Sequence, residues 1–225
     1  CYMANDRTRA IAEPAPSRQE CGLPDEGFVY CCFNNINKIT PDFFDAWMRL
    51  LTAVPRSVLW LMGGNAAAES NLRREAQDRG VDPARLVFAP RIEMPRHLAR
   101  HRNADLFLDT LPFNAHTTAS DALWSGLPVL TCAGRSFAAR VAGSLLQAAG
   151  LPELVTRSLE EYEALAVKLA LNPGLLHDYR NRLEENKQTC PLFDTPRFTR
   201  NLESAYHEMV RRWRSGQMPE PFTVG

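Results

Sequence analysis

The chain has 225 residues, enough for one large domain or two small ones at about 100–200 residues each. Apolar residues make up 45% and charged ones 23%, the proportions of an ordinary globular protein and not of a disordered or fibrous one. Lys and Arg together number 26, as do Asp and Glu, so the formal charge is zero; neither a broad basic face for nucleic acid nor an acidic tail is on offer.

Residues 1–26 hold Pro14, Pro16 and Pro24, many charges and little apolar periodicity, which predicts an extended lead-in or linker. The run 28–33, Phe-Val-Tyr-Cys-Cys-Phe, predicts a strand buried on both faces. Thr40-Pro41-Asp42 then opens a helix, with Thr40 as N-cap and Pro41 at the first helical position. Phe43, Phe44, Trp47, Leu50, Leu51 and Val54 recur at helical spacing until Pro55. The alternation continues with a strand over 58–62 and a helix over 66–79 that stops at Gly80. A strand at 86–88 precedes a short helix over 95–102, and a strand at 105–109 precedes a helix over 117–124 ended by Gly126. The last pair is a strand at 128–131 and a helix over 137–149 ended by Gly150. Strands separated by helical crossovers predict an α/β domain with a doubly wound parallel sheet.

Beyond Leu159 the pattern is helical only, over 160–171, 173–186 and 196–214. In the last of these Phe198, Leu202, Ala205, Tyr206, Met209, Val210 and Trp213 form one stripe, expected to pack back onto the domain. Its basic end, Arg211-Arg-Trp-Arg214, suits a helix C-terminus. The domain is thus expected over 27–214, with 215–225 as a tail.

Six cysteines, Cys1, Cys21, Cys31, Cys32, Cys132 and Cys190, form no C-x-x-C pair and have no His at zinc spacing. Reduced thiols and a cytoplasmic location are expected. No apolar run approaches the roughly 20 residues of a membrane span, and without a charged n-region followed by an apolar h-region no signal peptide is expected.

In an open parallel sheet, ligands bind beyond the carboxyl ends of the strands. Three segments follow strands there: Asn34-Asn-Ile-Asn-Lys-Ile39, the stretch 89–100 with His97 and Arg100, and Asn114-Ala-His-Thr-Thr-Ala-Ser-Asp121. They are expected to converge on one edge. His116-Thr117-Thr118 stands where a helix begins, so hydroxyls, free N–H groups and the helix dipole favour an anion such as phosphate; alternatively one of the threonines is only an N-cap. Asp121, one turn on, is placed to accept from a ribose hydroxyl or to sit solvated. Lys38 either meets a diphosphate or is a surface charge, and His97 either stacks on a base or lies on the helix surface. Neither G-x-G-x-x-G nor G-x-x-x-x-G-K-[ST] occurs, and no carboxylate cluster suggests a divalent metal.

Phe33-Asn-Asn-Ile-Asn-Lys-Ile39, Ser57-Val-Leu-Trp-Leu61, Asp105-Leu-Phe-Leu-Asp-Thr110, His116-Thr-Thr-Ala-Ser-Asp-Ala-Leu-Trp-Ser-Gly126 and Pro191-Leu-Phe-Asp-Thr195 resemble the O-linked N-acetylglucosamine transferase and SPINDLY family, glycosyltransferase family 41. The resemblance runs in order from about Gly27 to Trp213. It implies the Rossmann-like, donor-binding C-terminal half of a bacterial-type GT-B glycosyltransferase, with residues 1–26 as the tail of the N-terminal catalytic half and tetratricopeptide repeats further upstream.

The resemblance further implies that Lys38 stabilises the leaving diphosphate as the catalytic cation, with Asn35 beside it. His116, Thr117 and Thr118 would hold the β-phosphate, His97 and Arg100 with backbone near Ile92 the uracil, and Asp121 the ribose. Met94 stands where animal members have a ribose-binding Lys, and Asn37 where they have Tyr. The implied chemistry is inverting, metal-independent transfer of N-acetylglucosamine from UDP-GlcNAc to Ser or Thr hydroxyls of a protein acceptor, with no cofactor beyond the donor. The fragment alone is expected to bind donor without turnover. A GDP-fucose-using O-fucosyltransferase, a nucleotide-sugar epimerase and a non-catalytic nucleotide-binding module remain open alternatives. Neither a nucleic acid nor a membrane is expected as a partner.

Overall fold

The apolar runs are strands because nothing else in the chain can bury both of their faces. In the computed structural model, which describes residues 2–224, six strands form one all-parallel sheet: β1 (Val29–Cys32), β2 (Val58–Met62), β3 (Leu86–Ala89), β4 (Leu106–Leu108), β5 (Val129–Cys132) and β6 (Val155–Thr156). Their order is β3-β2-β1-β4-β5-β6. Each residue of β1, β4 and β5 is buried, as a sheet covered on both faces requires. The sequence pattern missed β6. Two residues, paired as Thr131↔Val155 and Cys132↔Thr156, are too short to show a period.

The helices are α1 (Pro41–Ala53), α2 (Ala66–Asp78), α3 (Met94–Arg100), α4 (Thr117–Trp124), α5 (Val141–Ala148), α6 (Leu159–Leu171), α7 (Pro173–Asn186) and α8 (Thr195–Arg214). Gly80, at φ +74°, and Gly126, at φ +81°, end α2 and α4 in the left-handed conformation that glycine adopts without strain. The helix expected from residue 137 starts only at Val141. Gly134 N–H donates to the Ala139 carbonyl at 2.8 Å, closing a tight loop in which a Cβ on Gly134 would stand 2.6 Å from that of Ala139.

α1 and α6 cover one face together. Buried Trp47 donates through Nε1 to the Tyr162 hydroxyl at 3.3 Å, and Tyr162 donates to the Asp109 carbonyl at 3.0 Å, just past β4. Tyr162→Phe is expected to cost roughly 1–3 kcal/mol, because both polar neighbours lose a buried partner. Urea unfolding of the variant measures it, and an unchanged midpoint would show that water replaces the hydroxyl.

Two expectations need correction. The lead-in is extended, as its composition requires, but it is docked: Ala12 N–H donates to the Pro95 carbonyl at 3.0 Å and Asn103 Nδ2 to the Pro16 carbonyl at 2.7 Å. The stripe of α8, by contrast, does not pack back onto the domain. No residue of that helix is buried, and Trp213 is 77% exposed. The other helices and the Leu192–Phe193 turn already cover the core, so only the first half of α8, through Phe198, Leu202 and Ala205, shares a cleft with Tyr2, Met3 and Leu192. The five cysteines among the described residues are free thiols; Cys1 lies outside the described residues.

Candidate functional site

β1 and β4 are neighbours, and from them the chain winds outward in opposite directions. That switch point opens a crevice at the carboxyl ends of the strands. Asn34, the second residue past β1, is buried there and bridges to the segment after β4. Its Nδ2 donates to Asp109 Oδ1 at 3.2 Å and Thr110 Oγ1 at 2.9 Å, while its Oδ1 accepts from the Thr118 hydroxyl. Asp109 also accepts from Ala115 N–H at 2.5 Å and from Thr131 Oγ1 at 2.6 Å. Burial pushes its pKa up to about 6, against the pull of those donors.

Lys38 is half-buried in the same crevice. Its ammonium donates to the Asn114 carbonyl at 2.9 Å and lies 4.3 Å from the centre of the Phe113 ring. Burial lowers its pKa, while the charge of Asp109 opposes the shift. Lys38 is thus not a free surface charge.

α4 begins beside it with His116 as N-cap and no side chain capping the first turn. Neither Thr117 nor Thr118 serves as a cap: Thr117 is exposed and Thr118 is engaged by Asn34. The first-turn N–H groups and the positive end of the helix dipole are therefore left open, two residues beyond the Asn114 carbonyl that Lys38 holds. His116 stacks on Phe113, with centroids 4.9 Å apart and planes at 21°, and its Nδ1 is 2.7 Å from the Tyr2 hydroxyl. Burial lowers its pKa; the Ala138 carbonyl opposes this and Lys38 adds to it.

His97 and Arg100 approach from α3. Both are buried, so His97 is not a surface histidine, and Phe33 is the hinge of the cluster. The Phe33 ring is 5.3 Å from that of His97 and 4.5 Å from the Arg100 guanidinium. Arg100 donates to the Pro90 carbonyl at 2.7 Å and to His97 Nδ1 at 2.5 Å. An arginine can only donate, so Nδ1 is the unprotonated nitrogen and the His97 proton sits on Nε2. Burial, with Arg100 assisting, holds the His97 pKa down to about 4. His101, which the sequence reading did not single out, packs 4.9 Å from His97 and bonds its carbonyl at 2.8 Å.

The three strand-end segments thus meet through Phe33, Asn34 and Lys38. Ile92, just before α3, and Met94, its first residue, are exposed. Asn35 is exposed, and its Oδ1 accepts from Asn37 N–H at 3.0 Å. Beside it a cleft of about 190 Å³ runs past Gly63, Gly64 and Arg91. A larger cleft of about 630 Å³, between Glu26 and Arg85, contains none of these residues. Asp121 is buried and ion-paired with Arg9, not solvated. Arg9 gave no local signal in the sequence because its partner lies 112 residues away. No group of three or more His, Cys, Asp or Glu side chains suited to a metal ion occurs among the described residues, and no helix there is long and apolar enough to cross a membrane.

Sheet order and switch-point crevice together define a Rossmann-like domain of the GT-B glycosyltransferase type. Residues 7–202 match Glycosyl transferase family 41, and the chain belongs to that family. It is 40% identical over its whole length to the probable UDP-N-acetylglucosamine–peptide N-acetylglucosaminyltransferase SEC of Arabidopsis thaliana, and covers 24% of that protein. With the corresponding SPINDLY protein of Petunia hybrida it shares 35% identity over 97% of its length, covering 23% of the relative. Among solved structures, the O-GlcNAc transferase of Thermobaculum terrenum superposes with a TM-score of 0.80 at 36% identity, covering 90% of this chain and 38% of that one. The chain therefore spans about a quarter of the length of these curated relatives.

Proposed function

We propose that the chain is the donor-binding half of an inverting protein O-glycosyltransferase that moves N-acetylglucosamine from UDP-GlcNAc to Ser or Thr hydroxyls. The observation that carries this is the meeting of Lys38 with the uncapped start of α4 at the switch point. In such a transfer the acceptor oxygen bonds to the anomeric carbon, the bond from that carbon to the diphosphate breaks, and the diphosphate leaves with the electron pair. Its growing charge is stabilised by the Lys38 ammonium and by the first-turn N–H groups and hydroxyls of His116–Thr118. Asn35 lies beside the diphosphate, and the α3 cluster of His97 and Arg100, with the backbone near Ile92, serves the base. Met94 borders the ribose held by Asp121. Much of the acceptor groove, and the tetratricopeptide repeats, would belong to polypeptide outside these residues.

Calorimetry with UDP and GDP tests the assignment. UDP is expected to bind more tightly than GDP, and an excess of chelator is expected to leave that affinity unchanged. Tighter GDP binding would favour the O-fucosyltransferase alternative, and a loss of binding on chelation would refute the metal-independent site.

A further inference from the structure

The N-terminal segment follows α4 along its axis. Tyr2 meets His116, the Ser120 hydroxyl donates to Asn5, and Arg9 meets Asp121 while its carbonyl accepts from Trp124 Nε1 at 3.1 Å. His116, Ser120 and Trp124 are four residues apart, which places them on one helix face. Asn5 is anchored independently, donating to the Leu192 carbonyl at 3.1 Å and accepting from Thr195 Oγ1 at 2.7 Å. Ala12 then bonds to Pro95 in α3. One strap thus ties together both helices that carry the candidate donor residues.

Within it, the Arg9–Asp121 pair stands out. Asp121 is 3% exposed, and a carboxylate so buried is held ionised only by a partner. Arg9 donates to its Oδ1 and, at 3.5 Å, to the Ser120 hydroxyl. Asp121 Oδ2 takes no hydrogen bond from the described residues.

We propose that Arg9 is a positioning residue for the donor site: its guanidinium holds one oxygen of Asp121 and leaves the other as an acceptor for a sugar hydroxyl of the bound nucleotide. This rests on the nucleotide-sugar assignment made above. The Arg9 cation opposes the rise that burial imposes on the Asp121 pKa. The remaining charged groups nearby are otherwise engaged. Asp6 bonds Thr8, and Arg7 is exposed to solvent. His97 and Arg100 of α3 turn toward Phe33. Lys187 lies over Trp124 and pairs with Glu184 at 2.7 Å. α5 carries no titratable side chain, and β5 offers only the Cys132 thiol, whose pKa burial pushes up.

The test is a UDP titration of the whole chain and of Arg9→Gln, Arg9→Lys, Asp121→Asn, the Gln/Asn double variant and Lys38→Ala. Each is measured at about pH 6 and about pH 8, as a ratio to wild type at the same pH so that titration of the diphosphate cancels. Arg9→Gln is expected to weaken binding about tenfold at the higher pH and more at the lower, because without the cation burial raises the Asp121 pKa unopposed. Arg9→Lys should stay within about threefold, and Arg9→Gln should add little on the Asp121→Asn background. In the ligand-free variants, the carboxyl carbon resonance of Asp121 should titrate at higher pH in Arg9→Gln and return toward wild type in Arg9→Lys.

If Lys38→Ala weakens UDP binding while Arg9→Gln does not, the positioning role is overturned and the donor site stands. Losses from Arg9→Gln and Asp121→Asn that multiply, or an Asp121 titration that Arg9→Gln leaves in place, overturn it as well. If Lys38→Ala leaves UDP affinity unchanged, the donor-site assignment itself falls.

Discussion

Lys38→Ala is expected to weaken UDP binding roughly ten- to a hundredfold, since a hydrogen bond to a charged group contributes about 1.5–3 kcal/mol. The site favours the upper end of that range. The ammonium is already half-buried and held by the Asn114 carbonyl over the Phe113 ring, so little side-chain freedom is left to lose on binding. Lys38→Arg should restore only part of the affinity, because the planar fork of a guanidinium does not reproduce the compact point charge and donor directions of an ammonium. Calorimetry on the three proteins checks this. A dissociation constant within twofold of wild type for Lys38→Ala would mean that the diphosphate lies elsewhere.

Asp109→Ala is expected to be the most destabilising single change at the site, by about 3–5 kcal/mol in urea unfolding. It leaves the Asn34 amide, the Thr131 hydroxyl and the Ala115 N–H without their acceptor in a fully buried place. Asp109→Asn should cost far less, and its effect should depend on pH. The folded pKa, about 6, lies above the ordinary value of 3.8, so the folded state favours the protonated acid. The stability this confers is fully present below the ordinary value and is lost as the pH rises through about 6. Unfolding midpoints should therefore move in favour of Asp109→Asn, relative to wild type, between about pH 4 and about pH 6.5. Parallel midpoints across that window would show that the carboxylate is ionised without penalty.

The sheet was legible because its strands are continuous apolar runs and its helices carry ordinary punctuation: Pro41 at the start of α1, Gly80 and Gly126 at the ends of α2 and α4. Convergence of the strand-end segments also followed from topology, since a parallel sheet sends every crossover out at the same edge. What escaped was whatever depends on distant partners. Asn34 looked like one of several polar loop residues until Asp109 and Thr118 were found around it. Arg9 and Tyr2 sat in a stretch with no periodicity, and their value comes wholly from α4. The α8 stripe misled for the converse reason. Its spacing states correctly that one helix face is apolar, but spacing carries no information about what covers that face.

The anchoring of Asn5 has a temporal consequence. Its partners Leu192 and Thr195 lie 187 and 190 residues further along the chain. At a synthesis rate of about 5–20 residues per second, Asn5 is made roughly 10–40 s before they are. The contacts of Tyr2 and Arg9 with α4 have their partners as soon as α4 is made, but the Asn5 anchor between them closes only when the start of α8 has been made. Made well before α8, Asn5 is among the last of these residues to find its place.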